Sequence, residues 1–301
     1  MDYEQALQAF YQPDEDDAPT PDPVARARPA RRLRDASEPI AMHGVWSRTT
    51  NERLAALGLN FLTGYVWGRA ASMGEPTDRL VVSAFAVFEP SLICGLYEEG
   101  RGHCARMEVL RAREEGTVES LRAVLGDADV TSVVTALRRG LGAADEVGRP
   151  LFSGLRSLGW PNDPFGQLWR ACELIREHRG DSHVAACISA GLGPIAMNIL
   201  TELWVGMPLR SYTATRAWSP DAIDAAVDRL RADGLLEADR LTDTGRALRD
   251  DIEARTDAME QPIVDAIGAD FETVLDRLEA WSVACVQAGA FPPSAFKRAA
   301  G

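Results

Sequence analysis

Apolar residues in the first half of the chain recur at helical spacing and are interrupted by glycine and proline. This spacing predicts a helix through Glu38 and further helices over 51–73, 80–97, 103–115 and 117–141. No segment in this half alternates apolar and polar positions for long, so we expect no major sheet.

The helical pattern continues beyond residue 160 with recognisable start and stop signals. Asp163 and Pro164 supply a capping side chain and a proline at the first helical position. The apolar face of the helix that follows consists of Phe165, Leu168, Trp169, Cys172 and Ile175. Gly180 predicts the end of this helix, and Asp181 is expected to cap a second helix over 182–191. A third helix is predicted over 194–205.

A helix, a short ribbon and another helix follow in the C-terminal third. Ser219 is expected to cap the first of these helices and Gly234 to end it. Residues 235–237 and 240–242 can pair as a small ribbon, and Thr242 can cap the next helix. The buried stripe of the first helix would be Ile223, Val227 and Leu230. This order of parts resembles the recognition helix, wing and following helix of MarR-like winged-helix proteins.

The predicted fold class is therefore mainly α, with a helical N-terminal domain and a winged helix-turn-helix that has a very short β-wing. Four regions are expected. They are a disordered acidic and proline-rich tail over 1–30, a helical domain over 31–158, the winged-helix domain over 159–258, and a C-terminal helix and tail over 259–301.

Two features of the N-terminal region have alternative interpretations. Tyr3, Leu7, Phe10 and Tyr11 fall at helical spacing, so a short amphipathic piece could dock on the body or a partner. A transient helix is favoured, because isolated short helices are marginal in water. A solvated charge run is favoured for the basic cluster Arg26, Arg28, Arg31, Arg32 and Arg34, which lies beside an acidic run.

The composition is that of an ordinary globular protein, with 46% hydrophobic and 26% charged residues. The formal net charge of -13 repels polyanions, so a nucleic-acid role needs a local basic face. The five cysteines occur singly, which indicates a reducing compartment without disulfides. The N-terminus lacks the pattern of a secretory signal, and no apolar run reaches membrane-spanning length. We therefore expect a cytoplasmic protein with no membrane partner.

The exposed face of the predicted recognition helix is acidic. Asp221, Asp224 and Asp228 stand at i, i+3 and i+7, where a major-groove reader needs arginine, lysine, asparagine or glutamine. Residues 205–257 contain eight arginines and eleven acidic residues. This balance disfavours DNA as a partner. Winged helices also serve as dimerisation or packing modules, which makes a homodimer the competing expectation.

The densest polar segment of the chain is Arg176-Glu-His-Arg-Gly-Asp-Ser-His183. With Trp160-Pro-Asn-Asp-Pro164, Trp169 and Arg255-Thr-Asp257, it resembles a family of actinobacterial helical proteins that carry the same stretch before a MarR-like winged helix. The resemblance covers the chain from about Arg32 to the C-terminus. It implies the architecture and a site, but it carries over no reaction.

Candidate ligand-binding residues in this segment are Glu177, His178, Arg179, Asp181 and His183. His178 and His183 lie about 140° apart around one continuous helix, which is poor for a shared metal. A break at Gly180 could bring them together, with Glu177 and Asp181 completing a set for metal binding or acid-base chemistry. In the structural alternative, His178 favours the negative end of a helix, Asp181 caps a helix and Glu177 pairs with an arginine. The residues alone favour that alternative, and the resemblance brings the two closer to even.

Further candidates lie in the N-terminal half. Arg69 follows Trp67 in an apolar neighbourhood and needs an anionic ligand or a carboxylate such as Glu38 or Asp181. His43 lies near the first of several aromatic residues that could line an apolar pocket, namely Trp46, Phe61, Tyr65, Trp67, Phe85 and Phe88. An ordinary core is the more frequent explanation of such residues.

The sequence lacks a phosphate-binding loop, a GxGxxG motif, an HExxH motif and a GxSxG elbow, which disfavours nucleotide-dependent and common hydrolase chemistry. The first hypothesis is a MarR-like protein that binds a small molecule in a helical pocket, as a ligand-responsive regulator or a sequestering protein. The second is an enzyme that uses Glu177, His178, Asp181 and His183. A purely structural role in an assembly is the third. The sequence indicates no particular cofactor.

Overall fold

The structure is a computed structural model that describes residues 1–11 and 27–300. The acidic run at 14–17, the prolines between 13 and 23, and Arg26 lie outside the described residues. In the N-terminal half the helices are α1 Tyr3–Phe10, α2 Pro29–Ala41, α3 His43–Trp46, α4 Arg48–Ala56, α5 Phe61–Ala70, α6 Asp78–Phe85, α7 Pro90–His103, α8 Arg106–Leu125, α9 Thr131–Leu141 and α10 Pro150–Ser157.

The C-terminal half contains helices and one small ribbon. They are α11 Pro164–Ser189, α12 Pro194–Val205, α13 Pro220–Ala232, β1 Leu236–Glu237, β2 Arg240–Leu241, α14 Asp243–Ile267, α15 Phe271–Gln287 and α16 Ala295–Ala300. Short 3-10 turns cover Ala71–Met73, Thr213–Arg216 and Gly268–Asp270. The mainly α fold class with a very short wing is confirmed.

Helix α11 is the centre of the fold, because it contacts α2, α8, α9, α10 and α14. Its apolar side chains, including Trp169 and Ile175, are buried in the largest core together with residues of α2 and α15. A second core joins α5, α6, α7 and α8. A third core belongs to the winged helix and packs α12 against α13 and β1.

The winged-helix unit forms as the local signals predict. Ser219 accepts a hydrogen bond from the Ala222 N–H and caps α13, and Thr242 caps α14 in the same way through the Gly245 N–H. Gly234 follows α13 with a positive φ of 70°, a conformation that glycine adopts without strain. The two strands pair antiparallel, and Ile223, Val227 and Leu230 are buried as expected.

The predicted helix end at Gly180 is wrong. Helix α11 is 26 residues long and continues through Gly180. Asp181 does not cap a second helix but accepts the first N–H groups of α10. A glycine inside a helix destabilises it by about 1 kcal/mol relative to alanine. Burial of apolar side chains on both halves of α11, such as Trp169, Ile175 and Cys187, outweighs that small local preference.

The single helix predicted over 80–97 is also wrong. The chain leaves α6 at Ala86, which has a positive φ of 43°, and enters α7 at Pro90 after Glu89 caps the Leu92 N–H. The helix predicted over 51–73 is likewise divided between α4 and α5, where Asn60 caps α5. The break at 86–89 matters for the site, because it exposes Phe88 to a cavity.

The N-terminal region is more ordered than predicted wherever the structure describes it. Helix α1 docks on the body, where the Tyr3 hydroxyl donates to the Trp46 carbonyl at 2.7 Å and Phe10 packs edge-on against the Trp46 ring. Arg31 and Arg34 are not part of a solvated run, since both are buried and paired with carboxylates. Their long stems pack in the helix interface while their guanidinium groups find partners in the fold.

The boundaries predicted for the winged-helix domain over 159–258 and for the C-terminal region over 259–301 stay a prediction. The positions of two helices are relevant to them. Helix α14 crosses residue 258 without a break, and α15 packs on α2 of the N-terminal half. Among the described helices, none alone has the length and hydropathy for a membrane crossing, although α11 and α12, bent by 108° where they meet, reach that threshold together.

Candidate functional site: a cavity beside the winged helix

A cavity of about 420 Å³ lies where the N-terminal helices meet the winged-helix unit. Residues of α2, α5 and α6 line it on one side, and residues of α12 and of the segment before α13 line it on the other. Helix α11 contributes the residues between them. Ligand pockets in proteins typically have volumes of about 300–1,000 Å³, so the cavity has room for a small organic molecule.

Aromatic side chains form a wall of this cavity. The Trp46 and Phe61 rings are 5.0 Å apart, and Tyr65 lies 5.9 Å from Phe85 and 6.0 Å from Phe88. All five rings line the cavity. Such a wall offers flat, polarisable surface to an apolar or aromatic ligand.

The polar part of the cavity is predominantly cationic. Its carboxyl groups are Glu38, Glu177, Asp181 and Glu253. Its cationic side chains are Arg31, Arg34, Arg69, Arg176, Arg179, Arg216, Arg249 and Lys297. With eight cationic side chains and four carboxyl groups, the lining of the cavity is positive, whereas the whole chain has a formal net charge of -13.

Arg69 pairs with Glu177, not with Glu38 or Asp181 as the sequence suggested. Its Nε and Nη2 donate to the two carboxylate oxygens at 3.0 and 2.7 Å, and Nη1 donates to the Tyr65 hydroxyl. Arg176 also donates to Glu177 and joins it to Glu38. Burial acts to raise the pKa of Glu177, but the guanidinium groups of Arg69 and Arg176 outweigh it and hold that pKa below its usual value.

Asp181 reaches the cavity from α11 and at the same time caps another helix. One of its oxygens accepts the Leu151 and Phe152 N–H groups at 3.0 Å each. Burial raises the pKa of Asp181 to about 7, although the cap hydrogen bonds oppose that rise. A carboxyl group with this pKa can hold or release a proton near neutral pH.

Glu253 is the anionic centre of a second ion-pair cluster at the cavity. Arg31 and Arg249 lie 3.1 and 3.0 Å from its oxygens, and Arg179 also pairs with it. Burial, together with the charges of Arg249 and Arg179, lowers the pKa of the neighbouring His183 to about 3. His183 is therefore a neutral ring at physiological pH.

Three of the predicted site residues do not line the cavity. His178 is buried against α14, where its Nδ1 lies 2.6 Å from Glu260 Oε1. His43 is fully buried with its Nε2 3.0 Å from Ser120 Oγ, and burial lowers its pKa to about 4. Trp67 lies in the second core and donates its indole N–H to a backbone carbonyl. Arg69, Phe88, Glu177, Arg179, Asp181 and His183 do line it.

The proposed metal pair of His178 and His183 does not form. Because α11 is continuous, the two rings contact α14 one turn apart, at Glu260 and Thr256 respectively. Within 1–11 and 27–300, no group of three histidine, cysteine or acidic side chains has the geometry to hold a metal ion.

A comparison with protein-family models matches residues 30–292 to a helix-turn-helix family. The chain belongs to this helix-turn-helix family. Neither a comparison with curated proteins nor one with solved structures gives a match. The match to the helix-turn-helix family spans both sides of the cavity as well as α13 and the wing.

The helix that would read DNA in a helix-turn-helix protein is α13, and its solvent face is acidic as the sequence predicted. Asp221, Asp224 and Asp228 are all exposed. Asp224 pairs with Arg210, while Asp228 pairs with Arg231 of the next turn. These exposed pairs leave no strongly basic surface on α13.

Sequence reasoning missed Arg216, Tyr212 and Asn198, which line the cavity from the winged-helix side. Arg216 and Tyr212 lie between helices in a segment without regular spacing, so no periodic signal marks them. Asn198 is one polar residue in an apolar helix, and such a residue is a signal of a buried polar contact.

Proposed function

We propose that this helix-turn-helix family protein binds a small molecule in the cavity and acts as a ligand-responsive regulator or a sequestering protein. The observation that carries the proposal is the position of the cavity, which both the N-terminal helices and the winged-helix unit line. A ligand in contact with both would bind more tightly to one relative arrangement of them and would thereby favour it.

The turn at 86–89 is the link between the two sides. The Val87 carbonyl accepts hydrogen bonds from Asn198 of α12 at 3.0 Å and from Trp218 at 2.9 Å. The Glu89 N–H donates to the Arg216 carbonyl at 3.0 Å. Since Phe88 lies inside this turn and lines the cavity, a ligand packed on Phe88 contacts the segment that holds the winged-helix unit.

We further propose that α13 does not read a duplex directly. Its three exposed aspartates would repel phosphates, so the output of the protein would be a protein contact or the capture of the ligand itself. The MarR-like assignment and the cytoplasmic location belong to the same proposal, and the order of helix, wing and helix supports the first of them. A MarR-like protein would be a homodimer, which light scattering of the purified chain would test.

Native mass spectrometry of the purified protein tests ligand binding, since a tightly bound small molecule is retained under those conditions. The matched variants are Gly180→Leu and Gly95→Leu. Gly180 lines the cavity and faces open space at its Cβ position, whereas Gly95 is an exposed helical glycine with the same open space outside the cavity.

We expect Gly180→Leu to abolish retention of the bound molecule and Gly95→Leu to leave it unchanged. Equal retention by both variants would place the ligand elsewhere. The complete absence of any bound or bindable small molecule in the wild type would contradict the proposed function.

The enzyme hypothesis is the second candidate, and the raised pKa of Asp181 at the cavity is the observation in its favour. Of the four residues in this hypothesis, His178 does not line the cavity. This hypothesis fails if two results are obtained together. His183→Ala and Asp181→Asn both bind the co-purified molecule with the affinity of the wild type, and neither the variants nor the wild type convert it chemically.

A further inference from the structure

One guanidinium group in the cavity, that of Arg216, has no carboxylate partner in the part of the chain that the structure describes. Arg216 stacks between Phe88, at 4.8 Å from its ring centroid, and Tyr212, at 4.0 Å. Its Nη1 donates to Thr215 Oγ1, while its Nε is buried and has no hydrogen-bond partner among the described residues. A buried donor without a partner is unfavourable by about 1–3 kcal/mol, so this edge of the side chain favours an acceptor.

The other arginines of the cavity differ from Arg216. Arg31, Arg34, Arg69, Arg176, Arg179 and Arg249 each lie within 4.0 Å of a carboxylate. No carboxylate of residues 1–11 and 27–300 lies within that distance of Arg216. Arg216 is thus a cation of the cavity that no carboxylate of the described residues neutralises.

This cation lies at one end of the aromatic wall. Phe88, which stacks on Arg216, is itself 6.4 Å from Phe85 and 6.0 Å from Tyr65. An anionic group at Arg216 would therefore leave the rest of the same molecule in contact with these rings. Charge-assisted contacts between a guanidinium and a carboxylate or phosphate are about twice as strong as neutral hydrogen bonds.

We propose that the cavity takes a flat apolar or aromatic molecule with one anionic group, whose anion binds Arg216 and whose body packs on the wall of Phe85, Phe88 and Tyr65. This assignment of a ligand class rests on the proposed function. It also makes Arg216 the residue that sets specificity, since loss of its charge would leave the apolar contacts in place.

Four matched probes of one shape test the proposal: naphthoate, naphthyl phosphate, the neutral naphthamide and the cationic aminomethylnaphthalene. Their Kd values would be measured by isothermal titration calorimetry with the full chain. We expect at least one of the anions to bind about tenfold or more tightly than the amide, as one charge-assisted hydrogen bond provides. The two anions distinguish a carboxylate ligand from a phosphate.

Arg216→Gln should remove the preference for the anion while the affinity for the amide stays the same, which also shows that the variant is folded. Arg216→Lys should keep part of the preference. Arg210→Gln is the matched control, because Arg210 is an exposed arginine of the same segment that pairs with Asp224 outside the cavity.

The outcomes separate the two proposals. An amide or amine that binds as tightly as both anions overturns the ligand class but keeps a small-molecule cavity. A preference for the anion that survives in Arg216→Gln overturns the role of Arg216. Failure of all four probes to bind, with no co-purified molecule in the wild type, overturns the ligand class and the proposed function together.

Discussion

Arg69 and Glu177 form a two-point ion pair between α5 and α11, with Nε 3.0 Å from Oε1 and Nη2 2.7 Å from Oε2. The two side chains are only 10% and 7% exposed. The pair fixes the guanidinium between the Tyr65 and Phe85 rings, so it also positions the aromatic wall of the cavity.

Removal of one partner of this pair should destabilise the protein strongly. We expect Arg69→Met to lower the free energy of unfolding by about 3 kcal/mol, because it leaves the buried Glu177 with Arg176 alone. Chemical denaturation measures the change. The double variant Arg69→Met with Glu177→Gln should recover part of the loss, since no unpaired charge remains.

The matched control for that experiment is Arg255→Gln, which removes an exposed pair with Asp251 on α14. Such pairs contribute about 0.5 kcal/mol or less. Equal losses for Arg69→Met and Arg255→Gln would show that the buried pair has no special role.

Gly180→Ala should stabilise the fold by about 0.5–1 kcal/mol, because alanine has the higher helix propensity and loses less backbone entropy on folding. A Cβ at this position meets no atom within 4 Å. Thermal and chemical unfolding would measure the gain. A loss of stability would mean that α11 is not a regular helix at this residue.

Asp181→Ala should destabilise the protein by about 1–2 kcal/mol, because the first N–H groups of α10 lose their acceptor. Asp181→Asn should have a smaller effect, since its amide oxygen can still accept both hydrogen bonds. Hydrogen exchange at Leu151 and Phe152 would report the loss directly. Unchanged protection of these amides in the alanine variant would argue against the cap.

His43 makes stability depend on pH in a defined direction. Burial lowers its pKa from 6.5 to about 4, so the unfolded chain takes up a proton at a higher pH than the folded chain does. The stability that His43 contributes is complete above pH 6.5 and is lost as the pH falls towards 4.

The difference in unfolding free energy between the wild type and His43→Gln should therefore shrink over this pH range, because glutamine cannot titrate. Denaturant titrations at several pH values would measure it, and groups common to both chains cancel. A difference that stays constant from pH 7 to pH 4 would contradict the buried neutral histidine.

The wild type should show no submicromolar, sequence-selective binding to duplex DNA at physiological salt. Replacement of Asp221, Asp224 and Asp228 by asparagine should tighten non-specific binding about tenfold or more at low salt, because three carboxylates no longer repel the phosphates. Fluorescence anisotropy with a mixed-sequence duplex measures both. Tight selective binding by the wild type would refute our proposal about α13.

Local signals predicted the winged helix well. The Ser219 and Thr242 caps, the stripe of Ile223, Val227 and Leu230, and the end at Gly234 all depend on residues within a few positions of one another. Such short-range preferences act in any tertiary context. The acidity of α13 could be read in the same way, because the exposed face of a helix follows from its buried face.

The errors have two physical causes. The single helix expected over 80–97 neglects local signals, since Glu89 caps and Pro90 begins a second helix there. The helix end expected at Gly180 follows from a propensity of about 1 kcal/mol, which the packing of α11 outweighs. The buried positions of Arg31 and Arg34 were missed for a related reason. Whether an arginine is solvated or buried depends on carboxylates such as Glu253, which are distant in the sequence.

The sequence by itself determined the mainly α class and the winged helix with its caps, and its candidates include ten of the residues that line the cavity. Only the tertiary structure decided that Arg69 pairs with Glu177 and that the His178 and His183 side chains contact different residues of α14. It also decided that Arg216 has no carboxylate beside it among the described residues. Helix signals act over a few residues, whereas the pairing of charges depends on which helices pack together.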